Sequence, residues 1–218
     1  MNGAAESVTA ALALLLMLAC SLPAIADSGT LRGAPPRVLS EARAGIYLVA
    51  NERLYDPLFG ESVILLAEHN GRGSVGLIIN RNTAIPVQDA LPELTLPGKQ
   101  KATLHIGGPV RGDSMRLLVR LPEPGFIGGP GMVPILDNVY LVNDVEVLQR
   151  VLDAGSNGRP QLRFYAGYTG WAAGQLEAEV ERGDWSMVEA DPEHIFATPP
   201  EELWRLLLNT ANATWAVR

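Results

Sequence analysis

Glu68-His69-Asn70 sets an acid, an imidazole and an amide side by side, just ahead of a glycine-rich stretch. An imidazole titrates near neutral pH and can serve as a general base when a carboxylate orients it; Asp56, Glu68 and Asp113 are the candidate acids. The nucleophile that acyl-transfer chemistry needs is not evident. No Gly-x-Ser-x-Gly elbow occurs, and no cysteine follows Cys20. His69 and Asn70 are also natural turn residues that can hydrogen-bond local backbone. Hence no catalytic residue is assigned, and Glu68, His69 and Asn70 stand as ligand-binding candidates. His69, His105 and His194 are the only histidines and none falls in a His-x-x-x-His or cysteine-rich pattern. Neither a metal site nor a cofactor is expected.

A second group lies further on. Trp171, Gln175 and Glu179 are spaced i, i+4, i+8 and would form a row along a helix expected from Trp171 to about Arg182, with Tyr168 just before it. An aromatic wall beside an amide could be the edge of a ligand site, or Trp171 could pack over a sheet. Tyr168, Trp171, Gln175 and Asp113 complete the candidate set. Gly71-Arg72-Gly73-Ser74-Val75-Gly76 spells G-x-G-x-x-G, but Leu77-Ile78-Ile79 after it reads as a strand. A dinucleotide fingerprint would need a helix there, so these glycines belong to a hairpin turn. Gly107-Gly108-Pro109 could form an anion-binding nest of N–H groups or turn the chain between strands.

These residues need a scaffold, and its centre is the hairpin Ser62–Arg81. Two apolar, β-branched runs, Val63–Ala67 and Val75–Ile79, flank a polar turn and read as strands buried on both faces. Further strands are expected at 45–50, 103–106, 115–121, 137–142, 161–168 and 185–188. Helices are expected after Pro86, from Asn143 with Val147, Leu148, Val151 and Leu152 inward, and from Thr198 with Leu203, Trp204 and Leu207 inward. Pro122 to Pro134 reads as a long irregular loop. Strands and helices interleave without a βαβ repeat, which predicts a single α+β domain with a mixed, largely antiparallel sheet.

With 47% hydrophobic and 19% charged residues, the 218-residue chain can bury a sizeable core. Its net charge of -7 disfavours nucleic acid as a partner. Val8–Leu18 is an apolar run ahead of Ala24-Ile25-Ala26, the pattern of a signal peptide cleaved before Asp27, although Glu6 replaces the usual basic n-region. Export to the periplasm is expected, at net charge -6 after loss of Glu6. Met17-Leu18-Ala19-Cys20 also resembles a lipoprotein box, imperfect because Met17 stands where leucine is usual, so a lipid anchor through Cys20 is the alternative. No later stretch is long and apolar enough for a transmembrane helix. The expected division is 1–26 signal peptide, 27–42 flexible tether, 43–210 folded domain and 211–218 C-terminal tail.

From Gly45 to about Leu208 the chain resembles the AlgH/YqgE family of bacterial proteins. The matching residues are Asp56-Pro57, Glu61-Ser62-Val63, Glu68-His69-Asn70, Gly76–Arg81, Gly107–Val110 with Asp113, and Gly167–Glu179, followed by Trp185 and Ala190-Asp191. The resemblance implies a branched sheet curled into a pseudo-barrel with peripheral helices. It implies no reaction; members have been labelled transcriptional regulators, a label that fixes no chemistry. The chain departs from the family pattern at Asn51, Asn82 and Ser114–Arg120, and in its exported character. The functional expectation is therefore a non-enzymatic binding or regulatory protein with an unidentified protein or small-molecule partner. A hydrolase using His69 and a nearby acid, or a transcriptional regulator, is the alternative.

Overall fold

The computed structural model of the chain describes residues 37–96, 102–122, 131–153 and 160–215. The expected signal segment, Cys20, the first part of the tether, residues 123–130 of the expected loop and the last three residues lie outside these. The folded unit is an α+β domain: one branched, mostly antiparallel sheet, curled into a half-barrel, with short helices against it.

The sheet is built outward from the hairpin of β2 (Val63–Asn70) and β3 (Gly73–Ile78). Its Asn70↔Gly73 register leaves only Gly71-Arg72 as the turn, tighter than the sequence suggests. On one side β2 pairs β1 (Ile46–Ala50), which pairs β10 (Trp185–Glu189). On the other, β3 pairs the C-terminal part of the twelve-residue strand β9 (Gln161–Ala172). β9 continues to β6 (Val110–Arg120), β8 (Val139–Val142) and β7 (Met132–Leu136). The branch forms because β9 changes partners. Its residues 164–166 pair in parallel with β5 (Thr103–Ile106), which holds β4 (Asn82–Pro86), while residues 169–172 pair with β3.

Gly107-Gly108 makes that branch possible. A Cβ on Gly107 would lie 2.4 Å from the Gly167 carbonyl oxygen, and one on Gly167 would lie 2.5 Å from that of Gly108. Both glycines of the pair are buried, and the Gly107 N–H is bound to Ala166 O at 2.8 Å. Of the two readings of this motif, the chain-turning one describes what the segment does here: two backbones cross at a distance only glycine allows.

The sheet's two faces explain the continuous apolar runs of β1 and β2. Tyr47, Val49, Val63, Leu65, Ala67 and Leu77 face one core, filled by Ile195 and Phe196 of α4 (Pro192–Phe196) and by Leu203 and Leu207 of α5 (Pro200–Trp215). Ile46, Leu48, Ile64, Leu66 and Ile78 face another, closed by Trp171, Trp185 and Leu176 of α3 (Gln175–Glu181). A third cluster lies under α1 (Val87–Ala90) and α2 (Val145–Asp153), with Val147 and Leu148 buried. Each fully buried aliphatic side chain contributes about 1.5–3 kcal/mol, so double-sided burial makes β1 and β2 the stability centre.

Several expectations need correction. Residues 37–42 are not a free tether. Val38 bridges Val188, Leu39 N binds Met187 O at 2.9 Å, and Leu39 and Ala42 pack on the Trp171 core. β7 occupies the end of the segment read as an irregular loop. α5 continues to Trp215, through most of the expected tail. Trp171 is on β9 rather than on a helix, because the strand runs to Ala172 and Gly174, at φ 77°, precedes the first helical residue, Gln175.

Candidate functional site

His69 stands near the turn end of β2, across from Ser74, which in turn lies across from Trp171 on β9. The three share a face of the sheet. His69 Nδ1 is 2.9 Å from Ser74 Oγ, and Nε2 is 3.7 Å from the Glu177 carboxylate on α3. The second distance suits an ion pair once the ring is protonated, and is too long for a hydrogen bond. Around His69 opens a cleft of about 450 Å³. Ser40, Glu41 and Ala42 of the docked N-terminal segment form one wall, Glu177, Val180 and Glu181 of α3 another, with Met187 of β10 also lining it.

Beside the cleft, Glu179 ties α3 to the sheet. Its Oε2 accepts from the indole N–H of Trp171 at 2.8 Å and of Trp185 at 2.9 Å, and its Oε1 accepts from Gln175 Nε2 at 2.9 Å. Gln175 Oε1 in turn accepts from Ala172 N at 3.1 Å. The two indoles meet edge to face with centroids 6.3 Å apart, and both are nearly buried. Trp171 therefore packs over the sheet with its polar edge satisfied, and Gln175 closes the strand-to-helix turn.

The remaining candidates are not gathered around His69. Glu68 pairs with Val75 and so points to the opposite face, exposed. Asn70 is exposed and its Oδ1 accepts from Arg72 N at 2.9 Å, which fixes the turn. Tyr168 lies on the opposite face from Trp171, packed at the edge of the Tyr47 core, with the Arg116 guanidinium 4.9 Å from its ring centre. Asp113 is exposed in a bulge of β6, with β3 and β9 between it and β2. Asp56 caps its own loop: its Oδ1 accepts from Leu58 N and Phe59 N at 2.8 and 2.9 Å. None of the three expected acids faces the imidazole; Glu177 does. The sequence reading missed it because a helix starting at Trp171 hides the turn that aims α3 at His69.

Of the other histidines, His105 is buried and His194 is half-buried. Burial first, and then the Arg163 charge, lower the pKa of His105, whose ring lies 5.3 Å from that of Tyr165. Burial lowers the pKa of His194 against the opposing pull of Asp191 and Glu193. Among the described residues no group of three His, Cys, Asp or Glu side chains is placed to hold a metal ion. No helix among them is long and apolar enough to cross a membrane.

At the hairpin's other end the residues after β3 bind backbone. Asn80 Oδ1 accepts from Val63 N at 2.8 Å, and Asn80 Nδ2 donates to Glu61 O at 2.9 Å. The Arg81 guanidinium donates to Gly60 O. Together they fix the loop that joins β1 to β2.

A branched half-barrel of this connectivity, with a hairpin buried on both faces at its centre, defines the class. The chain belongs to the AlgH-like family, whose model matches residues 47–216. It is 37% identical over 171 residues to a UPF0301 protein of Mycobacterium tuberculosis, covering 76% of this chain and 81% of that one. A UPF0301 protein of Mycobacterium avium is 36% identical over 173 residues, with the same coverage. Among solved structures, the crystal structure of protein DIP2367 from Corynebacterium diphtheriae is similar at TM-score 0.63 and 27% identity, covering 76% of this chain and 85% of that one. The solution structure of AlgH from Pseudomonas aeruginosa is similar at TM-score 0.61 and 29% identity, covering 84% and 94%.

Proposed function

We propose that the chain is a non-enzymatic binding protein and that its ligand sits in the His69 cleft. The observation that carries this is an imidazole tethered at Nδ1 by Ser74, with Nε2 toward Glu177 in a cleft that has apolar surface from Ala42, Val180 and Met187. Glu41, Glu177 and Glu181 favour a ligand that carries a positively charged or hydrogen-bond-donating group on an apolar body. Calorimetric titration with alkyl amines and diamines tests it. Binding to the parent that is lost in both His69→Ala and Glu177→Gln is expected; equal binding by all three proteins refutes the assignment.

The same side chains support a second reading. Ser74, His69 and Glu177 run hydroxyl, imidazole, carboxylate, as a hydrolase would need. Against it, Ser74 is only 4% exposed, so an acyl substrate has little access to Oγ. A fluorophosphonate probe separates the readings: no labelling is expected, and a modified Ser74 would make the protein an esterase-type enzyme.

We also propose export to the periplasm with cleavage before Asp27, on the strength of Val8–Leu18 and Ala24-Ile25-Ala26. N-terminal sequencing from fractionated cells decides this; an intact Met1 in the cytosol overturns it, and a lipidated Cys20 replaces it with a membrane anchor. A regulatory role is proposed to act through a protein or small molecule rather than duplex DNA. A sequence-dependent mobility shift at physiological salt would reverse that.

A further inference from the structure

The loop between β1 and β2 holds a second cleft, of about 430 Å³, at the opposite end of the hairpin from His69. Its apolar surface comes from Leu54, Tyr55, Pro57 and Trp204. Tyr55 is 92% exposed, and Leu58, just outside the cleft, is 55% exposed. The indole N–H of Trp204 is bound to Ala50 O at 2.8 Å, so what this residue offers the cleft is ring surface. A large aromatic presented on a loop held by side chain–backbone bonds loses little freedom when a partner covers it, which is why such residues anchor protein interfaces.

The chemistry of the occupant follows from the charges. Glu52, Asp56 and Glu61 also line the cleft, and no Lys or Arg does. Two cations lie nearby: Arg81 is half-buried with its guanidinium on the Gly60 carbonyl, and Arg53 is exposed on the same loop but does not line the cleft, which leaves the three carboxylates in the majority there. Aromatic faces beside three carboxylates attract a cation through the ring quadrupole and through Coulomb attraction, whereas an anionic occupant is repelled. The exposed apolar surface continues past the cleft to Leu58, further than a lone ammonium or guanidinium group would cover. A chain segment with both basic and apolar side chains matches it.

We propose that the Asn51–Glu61 loop with Trp204 docks a lysine- or arginine-bearing segment of a partner polypeptide, its cationic side chain against Tyr55 and the acidic rim. This surface is separate from the His69 cleft and does not depend on the reading of that cleft.

The test is an NMR titration of the ¹⁵N-labelled chain with an acetylated decapeptide of alternating arginine and leucine. Its glutamate-for-arginine counterpart and free arginine amide serve as the comparison arms. Expected shifts concentrate on residues 52–61 and the Trp204 indole, and the arginine peptide binds about tenfold or more tightly than either comparison arm. Tyr55→Ala weakens it about fivefold or more. Glu61→Gly also weakens it while leaving the fold unchanged, because glycine is at ease at the φ of 55° found there. His69→Ala leaves the affinity unchanged. The proposal fails if the glutamate peptide binds as well, if arginine amide alone binds as tightly, if the shifts map elsewhere, or if Tyr55→Ala has no effect.

Discussion

At its open end, the β2–β3 hairpin is held by side chains that bind main chain: Asn80 to Val63 and Glu61, Arg81 to Gly60. At its turn end, the ring nitrogens of His69 face side chains, Ser74 and Glu177, beside an open cleft. Side chains that satisfy buried backbone groups fix the path of the chain, and losing one deforms it. Side chains that meet other side chains at a cleft can exchange partners without moving the backbone. The open end is therefore built for fold, and the turn end has the freedom that ligand exchange requires.

The strongest test of that contrast is Asn80→Ala. It strands the buried Val63 N–H and the Glu61 carbonyl together, and a loss of about 2–3 kcal/mol in urea unfolding is expected. A loss well under 1 kcal/mol would show that the open end is not locked as described. Arg81→Ala follows, at about 1–2 kcal/mol, since its carbonyl partner is partly able to reach water. Circular-dichroism melts rank the two, and the reverse order would break the assignment of Asn80 as the main clamp.

A smaller effect is pH-dependent and comes from His105 and His194. His105 and His194 have lowered pKa values in the folded state, chiefly through burial. Between that lowered range and the ordinary value of about 6.5 the unfolded chain binds more protons, so stability falls as pH drops through about 6.5. The decline levels off once pH is below the folded-state values. Urea midpoints of the parent taken from pH 7.5 to 5.5 should fall, and replacing His105 and His194 together by Gln should flatten that slope. A slope that persists in that double variant would show that the two histidines do not carry the pH response. Smallest of all is the stability change in His69→Ala itself, within about 0.5 kcal/mol, although ligand binding is expected to be lost. An unfolded His69→Ala domain would make His69 a structural turn residue and erase the contrast between the two ends.

The local elements were largely legible because their signals are local. Double-sided burial marked β1, β2 and β3; Thr198-Pro199-Pro200-Glu201 marked the start of α5; Leu77-Ile78-Ile79 ruled out a dinucleotide loop. α4 went unread although Asp191-Pro192 is its cap, with Glu193 N on Asp191 Oδ1 at 2.9 Å, because five residues carry too little periodicity. β4 and β7 went unread because Asn82–Pro86 and Met132–Leu136 each contain a proline, and edge strands tolerate proline.

What the sequence determined by itself was the family, the fold class and the apolar stripes, since those depend on residue type and short-range order. Which groups face His69 could be decided only by tertiary structure. Side-chain direction depends on the register of β2 against β3, and one bulge between Leu66 and Glu68 shifts every residue after it to the other face. That bulge turns Glu68 away from the cleft and His69 into it. The left-handed Gly174 that precedes α3 then aims Glu177 at the ring, across about a hundred residues of intervening chain.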